Sequence, residues 1–137
     1  MKRIYLDYAS LTPIDKRVLK EMKKYETMDY MNSSALYVSG VAAKKAVLEA
    51  RERIARILHA HPDEIIFTSG GTESNNLVLQ TFQSKLIVIS SIEHSSIIKN
   101  KNMIHVPVDK NGIIDLDELK KAITPETKLV SIMIVNN

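Results

Sequence analysis

Twelve consecutive residues, Ile65-Ile66-Phe67-Thr68-Ser69-Gly70-Gly71-Thr72-Glu73-Ser74-Asn75-Asn76, bring together the residue types that bind an anion. A β-prone apolar run breaks at two glycines and passes into a helix-compatible segment. That order predicts a strand, a tight turn and a helix start. The first N–H groups of a helix have no intrahelical acceptor, and the helix dipole favours negative charge beside them. Glycine at 70 and 71 lets the backbone approach a phosphate closely, and Thr72 adds a hydroxyl donor. The same spacing also fits a plain glycine turn between two core elements. His94 is the second residue with suitable chemistry. It follows the apolar run 85–90, at the end of a predicted strand where ligands gather in open α/β sheets. An imidazole there suits proton transfer near neutral pH, and taken alone it fits a surface loop histidine equally well. His59, His61 and His105 read as a helix-end, a turn and a strand residue. No pair of histidines has metal-ligand spacing, so no metal is expected.

The elements that must position these groups are legible in the hydrophobic period. Thr12-Pro13-Ile14-Asp15 has the grammar of a helix start, and Val18, Leu19, Met22 and Tyr25 follow at helical spacing. Residues 26–39 lack periodicity and read as loop. From Gly40 to about Ala60 a long amphipathic helix is marked by Ala43, Val47, Ala50, Ile54, Ile57 and Leu58, and His61-Pro62-Asp63 ends it. Residues 65–68, 85–90, 103–108 and 128–135 then form short apolar runs. Helix-like stretches lie between them near 72–82, 93–99 and 115–122. Strands alternating with helices predict an α/β layered domain with a largely parallel sheet.

Composition narrows the function classes. The 137 residues are 45% apolar and 26% charged, ordinary for a soluble globular chain. No run approaches the roughly 18 apolar residues of a membrane span, and Asp7 interrupts any signal-peptide core after Met1-Lys2-Arg3. The chain has no cysteine, which excludes disulfides and thiolate metal sites; a cytoplasmic location is expected. The net charge of +3 is unevenly placed: residues 1–60 carry 12 Lys/Arg against 7 Asp/Glu, and residues 61–137 carry 7 against 9. Glu49 with Arg53 and Glu52 with Arg56 stand at i,i+4 on the long helix. A solvated helix face accounts for this charge better than a nucleic-acid surface, because aromatic residues are few and no binding motif is present.

An ordered series of segments resembles one family. Tyr5-Leu6-Asp7-Tyr8-Ala9-Ser10-Leu11-Thr12-Pro13 looks like the N-terminal arm of cysteine desulfurases, pyridoxal-phosphate enzymes of the class V aminotransferase group. Asn32-Ser33-Ser34-Ala35-Leu36-Tyr37, closing at Gly40, resembles their next loop. Thr68 to Asn76 is similar to their cofactor-phosphate loop, and Ile92-Glu93-His94 to their active-site histidine motif. Asn111-Gly112-Ile113-Ile114-Asp115 and the run from Val130 to Asn137 continue the match in order. The resemblance covers essentially the whole chain and about the first third of the family's length. Ser33 stands where proline is common, Tyr37 where histidine is common and Leu11 where threonine is common.

The resemblance implies a fold, a cofactor and a chemistry. The fold is α/β, a partial large domain of the aspartate aminotransferase-like (fold type I) architecture. Its mostly parallel sheet has flanking helices. Residues 1–39 would be the N-terminal arm, first helix and active-site loop, and residues 40–137 the N-terminal part of the large domain. Gly71 and Thr72 would hold the phosphate of pyridoxal 5'-phosphate. His94 would stack on its ring and move protons, and Asn137 would donate to the ring oxygen. The substrate would be L-cysteine, yielding alanine and a persulfide sulfur for iron–sulfur cluster or thio-nucleoside synthesis. A homodimer or a complementing C-terminal polypeptide, and a sulfur-acceptor protein, are the implied partners. The family's imine-forming lysine and sulfur-accepting cysteine fall beyond residue 137, so this segment alone is expected to be inactive. A run at 65–69 whose neighbours lie in later sequence is expected to be unpaired, and the isolated chain to be unstable or to self-associate. Two alternatives stay open. One is another class V enzyme, a selenocysteine lyase or a small-amino-acid aminotransferase. The other is a non-catalytic remnant or interaction fragment.

Overall fold

The computed structural model describes residues 4–27, 30–99 and 103–136, which divide into two compact units, residues 1–67 and 68–137. The first unit is helical. Helix α1 (Lys16–Thr27) starts three residues later than the Thr12-Pro13 signal predicts. Asp15 is the effective cap: its carboxylate accepts from Arg17 N–H at 2.7 Å, and its carbonyl accepts from Leu19 N–H at 3.0 Å. A carboxylate is a stronger acceptor for free N–H groups than a threonine hydroxyl, so it sets the boundary. Val18, Leu19, Met22 and Tyr25 form the expected stripe, yet all four are exposed.

Helix α2 (Val38–Leu58) enters through Gly40, which is buried against Ala35. It ends on His59 in the left-handed region (φ 52°), with Ala60 N–H returned to Ala55 O at 2.9 Å. This is a Schellman-like stop made without glycine. Glu49 pairs with Lys45 at 3.9 Å rather than with the predicted Arg53. A one-turn 3₁₀ segment (Pro62–Glu64) follows, closed by a capping box in which His61 and Glu64 serve each other. Residues 65–68 join no sheet among the described residues, although Ile65 is extended (φ −92°, ψ 118°). Arg51 Nε takes the Ile65 carbonyl at 3.2 Å, and its guanidinium lies over the Phe67 ring at 5.4 Å. The β-prone sequence is therefore present without a strand partner, as its expected isolation required.

The second unit is α/β: α3 (Gly71–Thr81), β1 (Leu86–Ser90), α4 (Ser95–Ile98), β2 (Met103–Val106), α5 (Leu116–Ala122) and β3 (Thr127–Ser131). The strands form one parallel sheet in the order β2-β1-β3, with a register shift where Leu86 faces Thr127 and Ile87 faces Leu129. β1 reads Leu-Ile-Val-Ile-Ser because it is central and covered on both faces; Ile87, Val88 and Ile89 are at most 3% exposed. Each such side chain contributes about 1.5–3 kcal/mol by leaving water. Leu79 of α3 and Ile97 of α4 pack with Ile87 and Ile89, joined by Phe82, Met103 and Leu129. β2 stops at Val106 because Pro107 has no N–H to give the ladder. Val108 instead pairs antiparallel with Ile114 around a turn. There Asp109 accepts from the N–H groups of Asn111 and Ile113, and Gly112 takes φ 80°. β3 ends at Ser131, leaving Ile134 and Val135 exposed.

Candidate functional site

The turn before α3 consumes most of its own polar groups. Thr68 Oγ1 and Ser74 Oγ lie 2.7 Å apart, and each also reaches the Gly70 carbonyl at 3.3 Å. Glu73, whose negative charge counts against an anion site, folds back instead. Its carboxylate accepts from the Ser69 hydroxyl at 2.6 Å and from Ser69 N–H at 2.7 Å. The Ser69 hydroxyl, helped by that N–H, holds the Glu73 carboxyl below the usual glutamate range. What is left over defines the site. Among the described residues, the N–H groups of Gly71, Thr72 and Glu73 and the Thr72 hydroxyl have no partner.

The glycines fit an anion cradle. Gly70 has an extended backbone (φ 161°, ψ 178°) that any residue adopts. A Cβ added at Gly70 or Gly71 meets no atom of the chain within 4 Å. Neither intrachain packing nor backbone strain therefore asks for glycine here. The space a side chain would fill stays open beside three unclaimed N–H groups, which is what a phosphate needs.

His94 caps α4 and is exposed. Its Nδ1 receives Ser96 N–H at 3.2 Å and lies 2.8 Å from Ser96 Oγ. Ser96 Oγ in turn accepts from the Asn75 side-chain amide of α3 at 2.8 Å. Two hydrogen bonds thus join the helix that begins at Gly71 and Thr72 to His94, and three of the four predicted site residues fall in one neighbourhood. Asn137, the fourth, lies outside the described residues.

The same end of the sheet is tied from β3. The buried Glu93 carboxylate accepts from Ser90 Oγ at 2.8 Å and from Met133 N–H at 2.7 Å. The Asn136 amide donates to the Ile92 carbonyl at 2.7 Å. These bonds gather the loops after β1 and β3 at the carboxyl ends of parallel strands, the usual ligand side of such sheets. Sequence reasoning assigns no role to Asn75, Ser96, Glu93 or Asn136. Glu93, beside His94 at the end of an apolar run, offers the one local signal, since a carboxylate there must be satisfied if buried. Among the described residues no cluster of His, Asp and Glu could hold a metal, and no helix is long and apolar enough to cross a membrane.

Residues 4–137 match the family model described as aminotransferase class-V. The chain is 40% identical to the cysteine desulfurase IscS of Dictyoglomus turgidum over 152 residues, covering 100% of this chain and 39% of that protein. It is 42% identical over 150 residues to the cysteine desulfurase IscS of Methylobacillus flagellatus, covering 98% of this chain and 37% of the relative. Among solved structures, a NifS-like protein superposes with a TM-score of 0.88 at 35% identity, over 98% of this chain and 41% of that one. The chain therefore spans about two fifths of the length of the relatives it matches.

Proposed function

The chain belongs to the class-V aminotransferase family, and on that premise we propose that it is the N-terminal, cofactor-phosphate-binding part of a cysteine desulfurase. The family is pyridoxal-phosphate dependent. The observation that carries the reading is the set of unclaimed donors at the start of α3, joined through Asn75 and Ser96 to His94.

In this reading the N–H groups of Gly71 and Thr72 and the Thr72 hydroxyl hold the cofactor phosphate. His94 lies against the cofactor ring and exchanges protons through its outward nitrogen. Asn137 donates its amide to the ring oxygen. When bound, pyridoxal phosphate supplies an electron-withdrawing ring that takes up the electron pair released at the amino acid's carbons. The chain's own residues orient that ring and hold its charge in place. Glu93 supports them by fixing the loops after β1 and β3 to each other.

The whole protein converts L-cysteine to L-alanine, with the sulfur passing to an enzyme thiol as a persulfide. The present residues include no cysteine, so that thiol belongs to another part of the protein or to a partner. Residues 1–39 serve as the arm, first helix and active-site loop, and residues 40–137 open the large domain. The exposed α1 stripe and the open edge of β3 support association with further polypeptide, either in a homodimer or with a complementing C-terminal part. A sulfur-acceptor protein and a cytoplasmic setting complete the proposal. The test is alanine formation from L-cysteine by the full-length protein with cofactor and a thiol reductant. The reading predicts alanine and sulfide in equal amounts, and a fall of roughly 10²–10⁴ in rate for His94→Ala. Amino-group transfer without sulfur release would overturn the desulfurase assignment.

A further inference from the structure

We propose that Asn111 is a latent modification site: its side chain can cyclise onto the Gly112 backbone nitrogen, and the Asp109 carboxylate holds the turn in the form that prevents this.

The chemistry follows from the residue order. A deprotonated Gly112 amide nitrogen can attack the side-chain carbonyl carbon of Asn111. A nitrogen–carbon bond forms, the carboxamide C–N bond breaks, and ammonia leaves. Water then opens the succinimide ring at either of its carbonyls, giving aspartate or isoaspartate, with no oxidant or reductant involved. Glycine as the next residue puts no side chain in the way, and a Cβ added there meets nothing nearer than Ile92 Cδ1 at 3.9 Å. Asn111 and Gly112 are both exposed, so water and hydroxide reach them.

The folded turn opposes each step. Gly112 N–H donates to the Asp109 carbonyl at 3.0 Å, so the attacking nitrogen is occupied and its proton is held. Asp109 N–H donates to the Ile113 carbonyl at 2.8 Å and closes the loop from the other side. Asp109 Oδ1 accepts from Asn111 N–H at 2.8 Å and from Ile113 N–H at 2.9 Å. With the N–H groups on both sides tied to one oxygen, Asn111 and Gly112 cannot make the backbone rotation that ring closure needs. The Ile113 N–H first, then the Asn111 N–H, hold the Asp109 carboxyl below the usual aspartate range, and the Asn111 side chain adds to this. An ionised carboxylate so near the Asn111 carboxamide also disfavours the oxyanion that forms at the attacked carbon.

The turn supports more than itself. Val108 pairs with Ile114 across it, and Asp115, the cap of α5, gives its N–H to the Pro107 carbonyl at 3.0 Å. Isoaspartate would route the backbone through an extra carbon and add a negative charge beside Asp109. The lesion would therefore loosen the tie between β2 and α5.

The experiment measures conversion at Asn111. Full-length protein is incubated at about pH 8, where aspartate is ionised, both folded and in guanidinium chloride. Peptide mapping follows the amide-to-acid change at Asn111, and fragmentation separates isoaspartate from aspartate. The folded wild type should convert at least about tenfold more slowly than the unfolded chain, because the turn must first break several hydrogen bonds. Asp109→Ala removes the side-chain acceptor and should raise the folded rate by about tenfold or more. Asp109→Asn keeps an acceptor oxygen without the charge and should fall between the two. Circular dichroism of each sample shows that the variant is folded. If Asp109→Ala does not fold, Asp109→Asn decides, and a rate above wild type upholds the proposal. Equal rates in the folded and unfolded wild type, or a folded variant converting at the wild-type rate, overturn it.

Discussion

The side-chain amide of Asn75 donates to the Ser96 hydroxyl across 2.8 Å and 21 positions of sequence. This bond, with the one from Ser96 to His94, makes the start of α3 and the loop after β1 one structure rather than two neighbouring features. The unclaimed N–H groups of Gly71 and Thr72 and the His94 imidazole are carried by the same pair of helices, over a core in which Leu79 and Ile97 pack on β1. Changes on either helix should register at both groups.

Gly71→Ala separates the ligand's need for glycine from the fold's. The added methyl meets no atom of the chain, and alanine restricts the unfolded state more than glycine does. Urea unfolding of the full-length protein should show unchanged stability or a gain of up to about 1 kcal/mol. Retention of pyridoxal phosphate should fall, because the methyl occupies space beside the donors. Equal cofactor affinity in the variant would contradict the cradle.

Much of this architecture is legible in the amino-acid order alone. The glycine break after a β-prone run marks the start of α3 to within one residue, because glycine punctuation and helix period are local signals. The 85–90 run marks β1, since a strand covered on both faces is apolar throughout. Residues 65–68 carry the same β-prone signal and form no strand, because pairing depends on a neighbour that local sequence cannot report. The start of α1 differs from expectation for a local reason: Thr12-Pro13 and Asp15 are both plausible starts, and the carboxylate prevails. The Asn75–Ser96 contact has no sequence signature, because it is set by how α3 and α4 pack and no local pattern encodes it.

The tie between Glu73 and Ser69 should be acid-sensitive in a predictable window. The Ser69 hydroxyl and N–H hold the folded carboxyl below the ordinary value of 4.5, so the tie is complete above that value. It is lost as pH falls through the lower folded value, where the carboxylate takes up its proton. The Ser69 amide resonance should be flat from neutral pH down to about the ordinary glutamate value and titrate only below it. A Ser69 transition above that value would contradict the contact.

Gly40 makes the opposite case to Gly71. A Cβ there would stand 2.6 Å from the Ala35 carbonyl oxygen and 2.8 Å from the Ala35 Cβ. Neither obstacle is the end of a flexible side chain, so the loop or the helix must move. Gly40→Ala gains about 1 kcal/mol in helix propensity against an overpacking cost of about 1–3 kcal/mol, so it should show a net loss of up to about 2 kcal/mol. Urea unfolding of the full-length protein checks it, and stabilisation would show that the loop yields freely.

The 137 residues on their own should associate. Val18, Leu19, Met22 and Tyr25 expose one side of α1, Val130 lies on an outer strand, and Ile134 is 99% exposed. Unpaired edges and apolar stripes of this kind recruit partners. Sedimentation velocity should show species that grow with concentration. A monomer with a sharp, concentration-independent melting transition would refute this.

The most direct test of the cofactor site is titration of the full-length protein with pyridoxal phosphate and with phosphate-free pyridoxal, in the wild type and in Thr72→Ala. The Thr72 hydroxyl donates to a charged group in this account, an interaction of about 1.5–3 kcal/mol. Its loss should weaken pyridoxal phosphate binding by about tenfold to a hundredfold and leave pyridoxal binding unchanged. Equal affinity for pyridoxal phosphate with and without the hydroxyl, or an equal loss for both ligands, would contradict the phosphate site at the start of α3.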